Sequence, residues 1–394
     1  MARASYHFAP LAYGFRPFFL LAGLYAALAI PAWLILYSRG ASPLGQLPAQ
    51  LWHAHEMLYG FVSAALAGFL LTAVPSWTGA RGFGGWPLGA VVVAWLLGRS
   101  GFALAGMLPS WSVVTLELAF LPALGVLLVP PLVRSYNRNT PLLALLAALW
   151  LADGAYLVGW LRGDPVLASG ALRVAIDVVL LLVTIIGGRI VPSFTANALR
   201  RRGEAADIRS IAWLERGVVA LMVAVIVVDL WRPDGALTGW LAAAVAIAQA
   251  VRLSGWRSLR VRGEAILCVL HVGYAWMPVG FALKAVWMLV GAPWAAFWMH
   301  ALTMGVFGTM ILAVMTRVAL GHTGRPLAVG RSIAGAYLLL TLAVVARVFG
   351  AALWPSDYLA ALLVSGSLWS AAFVVYLAVY GPILVLARAD GKPG

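Results

Sequence analysis

The sequence predicts an all-α integral membrane protein that crosses the bilayer twelve times. Of its 394 residues, 63% are hydrophobic and only 10% are charged, and the mean hydropathy is +0.95. Soluble domains contain about 45–50% apolar and about 25% charged residues, so this composition excludes a soluble globular protein. The apolar residues are grouped into runs, each long enough to cross about 30 Å of hydrocarbon as a helix.

The apolar runs are separated by short polar turns such as Gly82-Phe83-Gly84-Gly85. Pro17, Pro141 and Pro293 stand at the starts of runs, where a missing backbone N–H costs little. The twelve predicted helices cover residues 17–37, 52–77, 88–107, 112–133, 141–161, 171–194, 212–231, 237–253, 264–290, 294–319, 332–353 and 358–386.

The net charge of +14 comes mainly from arginines in alternate loops. In a soluble chain this charge would point to nucleic acid, but Lys and Arg are enriched in the cytoplasmic loops of membrane proteins. We therefore expect the lipid bilayer as the surrounding partner, no nucleic acid, and both termini in the cytoplasm. The single cysteine, Cys268, excludes an internal disulfide and a cysteine-paired metal site.

Three of the runs share an internal pattern. The second and tenth runs each have a histidine followed by glycine five residues later and by threonine twenty-three residues later. The second and sixth runs share the pattern Val-Pro-Ser-aromatic-Thr. The matched residues are His55, Gly60 and Thr78; His300, Gly305 and Thr323; and the pentapeptides 74–78 and 191–195. We interpret residues 1–394 as one polytopic domain of three four-helix repeats, 1–133, 134–253 and 254–394.

This plan resembles the catalytic subunit of haem–copper oxidases, whose second and tenth helices carry haem-ligating histidines near the outer face. The likeness concerns the fold plan only, whereas the internal repeat pairs His55 with His300 and makes a bis-imidazole haem between them our hypothesis. His53 and His55 are two residues apart, so they point about 200° apart on an α-helix. His53 would then serve a second centre, a haem or a copper, or be an interfacial histidine.

Ionisable side chains within a membrane are costly and mark functional sites by default. Glu56 and Glu117 are candidates for moving protons. Lys284 and Arg347 are candidates for holding haem propionates. Asp153 is a further charge that we expect to be buried.

Two other histidines leave alternatives open. His271 is either a cofactor ligand or a buried, hydrogen-bonded histidine. His322 is either a ligand for a second group near the cytoplasm or a structural residue, and we favour the structural role. Met299 and Met304 are alternative soft ligands for copper.

Several long motifs throughout the chain resemble the NnrS family. They are Phe15-Arg16-Pro17-Phe18-Phe19, Trp52-His53-Ala54-His55-Glu56-Met57, Gly68-Phe69-Leu70-Leu71-Thr72-Ala73, Trp77-Thr78-Gly79, Gly187-Gly188-Arg189, Pro192-Ser193-Phe194-Thr195, Met315-Thr316-Arg317 and Leu320-Gly321-His322-Thr323-Gly324-Arg325-Pro326. The resemblance implies a multi-pass protein of the bacterial inner (cytoplasmic) membrane that carries haem and copper and is linked to nitric oxide metabolism and tolerance. It does not assign the ligands.

Our leading hypothesis is a protein with one or two b haems, and copper as a further candidate, that binds or reduces nitric oxide. The activity would be that of a nitric oxide reductase-type oxidoreductase in denitrification or nitrosative stress, with electrons from quinol or another donor. The main alternative is a polytopic transporter of a metal ion, haem or small solute. The second alternative is a non-catalytic nitric oxide sensor.

Overall fold

The computed structural model describes residues 9–45 and 47–392, which form helices joined by short loops, with no β-strand among them. Every predicted run is helical. We label the helices in chain order: α1 Phe15–Ser38, α2 Ala49–Thr78, α3 Gly85–Ala103, α4 Ser110–Arg134, α5 Leu142–Arg162, α6 Pro165–Arg201, α7 Ala212–Trp231, α8 Ala236–Ser254, α9 Ala265–Val290, α10 Pro293–His322, α11 Arg331–Gly350 and α12 Pro355–Val385.

In the described part of the chain, eleven helices are long and apolar enough to cross a membrane. The exception is α7, which has 20 residues. It contains Glu215, Arg216 and Asp229, and these three charges fall within every 18-residue stretch of the helix. The all-helical membrane architecture is therefore confirmed, whereas the twelfth crossing stays a prediction.

Prolines mark three helix starts, as the sequence predicts. Pro17 lies in the first turn of α1, Pro141 directly precedes the α-helical part of α5, and Pro293 opens α10 with a short 3₁₀ turn. The ring fixes φ near its helical value, and the missing N–H belongs to a turn that lacks an intrahelical acceptor. These positions start a helix without the loss of a hydrogen bond.

Two helices change to π-helical geometry immediately after a histidine. In α2 the π segment is Glu56–Val62 and follows His55, and in α10 it is Ala301–Gly308 and follows His300. A π segment widens the helix by one residue per turn and is frequent at functional sites. The two histidines thus have the same local setting, as their matched spacing suggests. The threefold repeat of the whole chain stays a prediction.

The helices pack into two compact units. The first unit comprises the chain up to Ala175, the segment Met315–Leu327 and the chain from Phe373 onwards, and the second comprises Ile176–Val314 and Ala328–Ala372. The core of the first unit includes fully buried aromatic side chains, among them Phe18 and Tyr376. This packing does not test the three repeats that the sequence predicts, and they stay a prediction.

Within the first unit, Arg16 joins the start of the chain to its end. Its side chain is fully buried, and Nη1 donates hydrogen bonds to the carbonyls of Leu384, at 3.1 Å, and Leu386, at 2.6 Å. The last carbonyls of a helix have no intrahelical donor, and a cation is favourable at that end. Arg16 therefore caps the C-terminus of α12.

We expect Arg16→Met to lower the free energy of unfolding by roughly 2–3 kcal/mol, because hydrogen bonds from a charged donor contribute about 1.5–3 kcal/mol. The measurement is equilibrium unfolding in mixed micelles. Arg39→Met, at an exposed position just after α1, is the matched control. Equal stability of the two variants would show that the cap contributes nothing.

A buried ionic cluster in the first unit

Five ionisable side chains from four helices meet inside the first unit. They form what we call the ionic cluster: His55 and Glu56 of α2, Arg99 of α3, Glu117 of α4 and Asp153 of α5. Their side chains are between 0% and 8% exposed. Charges removed from water require partners, and each of these groups has at least one within the cluster.

The connection between α3 and α4 places Arg99 and Glu117 at the same level of the helix bundle. Arg99 lies near the end of α3 and Glu117 near the start of α4, and only residues 104–109 separate the two helices. The helices therefore run antiparallel, which places Arg99 beside Glu117. The guanidinium makes short, charge-assisted contacts through Nη1 with Glu56 Oε1 and through Nη2 with Glu117 Oε1. One cation thus holds two carboxylates from different helices.

His55 lies between two carboxylates. Its Nδ1 is 3.2 Å from Glu56 Oε1, and its Nε2 is 3.0 Å from Asp153 Oδ1. The ring stacks on Tyr156, with ring centres 4.4 Å apart and an interplanar angle of 20°. A neutral imidazole carries one N–H, so it donates to only one of these acceptors. The other contact requires an additional proton or a cation.

The formal charges lead to the same requirement. With all three carboxylates ionised and His55 neutral, the cluster carries three negative charges and the one positive charge of Arg99, which leaves −2. An uncompensated charge of this size is costly in a buried site. Protons on the carboxylates or a bound divalent cation would neutralise it.

The donor atoms also suit a metal ion. His55, Glu117 and Asp153 each offer a ligand atom, and these three atoms lie within 4.8 Å of one another. Glu117 Oε2 is buried and has no hydrogen-bond partner. Among the described residues, this is the one group of His, Cys, Asp and Glu side chains with ligand atoms so close together.

The π segment of α2 is packed around an aromatic pair. The hydroxyl of Tyr25 donates a short hydrogen bond to Glu56 Oε2, and its ring lies against Gly60, where a Cβ atom would approach within 2.3 Å. Trp95 donates from Nε1 to the Gly60 carbonyl, at 3.2 Å. The glycine therefore provides the space that allows Tyr25 to reach Glu56. In α10, Gly305 gives Trp276 similar room.

His53 lies on a different side of α2. Its ring stacks on Trp33 of α1, with centres 4.2 Å apart, whereas His55 packs against Phe102 and Tyr156 of α3 and α5. The predicted divergence of His53 and His55 is confirmed. The role of His53 at a second centre stays a prediction.

In the second unit, both ring nitrogens of His271 have hydroxyl partners. Nε2 lies 2.8 Å from Thr195 Oγ1, and Nδ1 lies 2.8 Å from Ser258 Oγ. Of the two alternatives for this residue, the geometry corresponds to the buried, hydrogen-bonded histidine. Ligation of a cofactor would require the loss of one of these bonds.

The two cations considered for haem propionates also have protein partners in the second unit. Lys284 Nζ is 2.5 Å from Asp229 Oδ2 and lies 4.9 Å from the centre of the Trp298 ring. Arg347 lies over Phe297 and donates to the Tyr358 hydroxyl at 3.2 Å. Propionate binding by either residue stays a prediction.

The remaining histidines differ in their surroundings. His300 is half-buried beside Phe297 in the second unit. His322 belongs to the first unit, where its ring stacks on Tyr13, and Arg388 donates to its carbonyl at 2.7 Å. Outside the helices, the hydrogen bond from Arg388 lowers the pKa of Asp390. Metal binding by His300 or His322 stays a prediction.

Sequence analysis had identified part of this cluster. His55, Glu56 and Glu117 were candidate site residues, and Asp153 was only an expected buried charge. Arg99 was missed, although a lone arginine inside the apolar run 88–107 is the same kind of signal. The structure shows that the positive partner of these carboxylates is Arg99.

These features define a polytopic helical membrane protein with a buried group of ionisable residues, three of which have ligand atoms close enough together to hold one metal ion. The chain belongs to the NnrS family, since the family model described as NnrS protein matches residues 9–388. No curated protein matches the sequence.

We expect Gly60→Ala to displace Tyr25 from Glu56 and to lower stability by about 1–3 kcal/mol, the usual effect of overpacking. The control is Gly125→Ala in α4, because a Cβ at that glycine meets no atom within 4 Å. Unfolding in mixed micelles compares the two. A Gly60→Ala protein as stable as the control would refute the close-packing argument.

A double-mutant cycle tests the central ion pair. Arg99→Met leaves buried carboxylates without a cation, and we expect it to lower the free energy of unfolding by about 3–5 kcal/mol. Adding Glu117→Gln removes one of these charges, so the double variant should lose at least about 1 kcal/mol less than the sum of the single losses. Strictly additive losses would show that the two side chains are not coupled.

Proposed function

We propose that this protein is a membrane metalloprotein that binds or reduces nitric oxide and thereby contributes to nitric oxide detoxification or tolerance. Membership of the NnrS family, which is linked to the nitric oxide response, supports the choice of substrate. The observation that carries the proposal is His55 with carboxylates at both ring nitrogens, buried in a membrane-spanning helix. Nitric oxide is small and apolar and reaches such a site through lipid.

In this proposal His55, Glu117 and Asp153 would hold the metal, which would supply a coordination position for nitric oxide and, with a redox-active ion such as Fe(II), redox chemistry. Arg99 fixes Glu56 and Glu117 by its two contacts. Glu56 accepts from His55 Nδ1 and orients the ring. In many proteins, residues that hydrogen-bond to a metal ligand without contacting the ion itself fix the orientation of that ligand.

The carboxylates are also suited to proton transfer. Reductive coupling of two nitric oxide molecules to nitrous oxide and water consumes two protons and two electrons. Glu56 contacts His55, Arg99 and the Tyr25 hydroxyl, and a buried carboxylate in such a network can accept and pass on a proton. We propose Glu56 and Glu117 for this task, with quinol or another carrier as electron donor.

The donor set around His55 fits a small ion better than a macrocycle, because Asp153 Oδ1 lies 3.0 Å from His55 Nε2 and a haem held by this nitrogen would displace the carboxylate. Haem b and copper are retained as proposals from the family resemblance, whereas haem at His300 and copper at His53 or at Met299 and Met304 are proposed from the positions of these residues in the sequence.

We place the protein in the bacterial inner membrane with both termini in the cytoplasm. The eleven apolar helices among the described residues support a membrane location. The distribution of arginine between alternate loops supports the orientation.

Transport of an ion or small solute is the second candidate. It is favoured by the Lys284–Asp229 pair of the second unit, which is almost fully buried and in which Asp229 Oδ1 has no hydrogen-bond partner. Buried ionisable pairs mark substrate or proton pathways in membrane proteins. This reading requires no redox chemistry.

The test is optical spectroscopy of detergent-purified protein, oxidised, reduced and reduced with nitric oxide, together with nitric oxide consumption measured at an electrode. We expect a signal that responds to nitric oxide, and at least a tenfold loss of consumption in His55→Ala. His300→Ala reports separately on haem, and Arg39→Ala is the control. A wild-type protein that carries no metal or haem and does not respond to nitric oxide would refute the proposal and favour transport.

A further inference from the structure

We infer that the ionic cluster binds one non-haem divalent cation of the first transition row, Fe(II), Mn(II) or Zn(II), through His55, Asp153 and Glu117. The inference rests on the proposed function for the presence of a metal centre and deepens it by naming the class of ion. Three independent features of the cluster support it: the spacing of the donor atoms, an oxygen without a partner, and the charge.

The spacing suits one ion. His55 Nε2 is 3.0 Å from Asp153 Oδ1 and 3.8 Å from Glu117 Oε1. Ligands bound at about 2.1 Å to one metal ion lie roughly 3–4 Å from one another. These distances arise without any ion.

The oxygen without a partner belongs to Glu117. Its Oε1 is held by Arg99, whereas Oε2 is buried and makes no hydrogen bond. A buried polar oxygen of this kind costs free energy unless it is paired. The distance of 3.8 Å to His55 Nε2 is that of Oε1, so an ion at this position either shares Oε1 with Arg99 or binds Oε2 after a rotation of the carboxylate.

The tautomer of the His55 imidazole also suits a bound ion. Glu56 Oε1 is 3.2 Å from Nδ1 and selects the tautomer with its proton on that nitrogen. The lone pair of Nε2 then points towards Asp153, which in the absence of a proton or cation is a repulsive contact. A cation between the two removes that repulsion, and a carboxylate behind a ligating histidine is the usual arrangement at metal sites.

Charge and donor type select the class of ion. A divalent cation balances the formal charge of −2. One imidazole and two carboxylates suit Fe(II), Mn(II) and Zn(II), whereas Cu(I) prefers thiolate or thioether ligands. Ca²⁺ takes six to eight oxygen ligands, and the nitrogen of His55 disfavours it.

The experiment uses full-length protein in detergent, purified and then treated with a chelator. MnCl₂ is titrated by electron paramagnetic resonance, and bound Fe and Zn in the untreated protein are counted by mass spectrometry. We expect about one Mn(II) per chain. Asp153→Asn or Glu117→Gln should weaken binding at least 100-fold, and Glu56→Gln should weaken it 10- to 100-fold.

Asp164→Asn is the matched control, because this carboxylate lies between α5 and α6, outside the ionic cluster, and accepts hydrogen bonds from the backbone N–H groups of Val166 and Leu167. Size-exclusion profiles show which variants fold. If the variant at one of the three sites does not fold, the variants at the other two sites still test the inference. Binding that is unchanged in both Asp153→Asn and Glu117→Gln would overturn the inference. So would a wild-type protein that binds none of the three metals.

Different results would refute the proposed function and the inferred metal site. If the metal binds as described but nitric oxide is neither bound nor consumed, the site stands and the proposed function fails. If nitric oxide is consumed by a haem protein with no metal in the cluster, the function stands and this inference fails. Loss of the haem absorption in His55→Ala, with metal content unchanged in Asp153→Asn, would also overturn the inference.

Discussion

The pairing of Arg99 with two carboxylates is the interaction on which the first unit depends. Four helices contribute charged or titratable groups to a region with almost no access to water, and the guanidinium links its own helix, α3, directly to α2 and α4. Hydrophobic packing alone does not fix the rotation and depth of membrane helices, since lipid is as apolar as a leucine side chain. The ionic cluster supplies that specificity, because rotating α2, α3, α4 or α5 out of register would leave a charge unpaired.

The sequence predicted the helical membrane architecture and the positions of nearly all helix boundaries, because long apolar runs and prolines act locally. It also identified His55, Glu56 and Glu117 as candidate site residues. It did not reveal that His55 contacts Asp153, ninety-eight positions away, since the pairing of residues on different helices depends on how each helix is rotated. The crossing of the membrane by α7 stays a prediction, because Glu215, Arg216 and Asp229 lower the apolar content of this helix.

The resemblance between α2 and α10 is a matter of backbone as well as sequence. In each helix a histidine is followed by a π segment that contains a glycine. An aromatic ring from the preceding helix packs against that glycine. The chemistry at the two positions nevertheless differs. His55 lies between carboxylates, whereas the ring of His300 lies beside Phe297. A shared backbone irregularity therefore occurs beside histidines with different neighbours.

The cap that Arg16 places on α12 has a consequence for biosynthesis. The ribosome makes α1 before α12, so the contacts of Arg16 with the carbonyls of Leu384 and Leu386 form only after α12 has been made. Contacts between such distant segments form slowly. The first unit therefore closes only after α12 has been made, and a chain truncated before α12 would lack this cap.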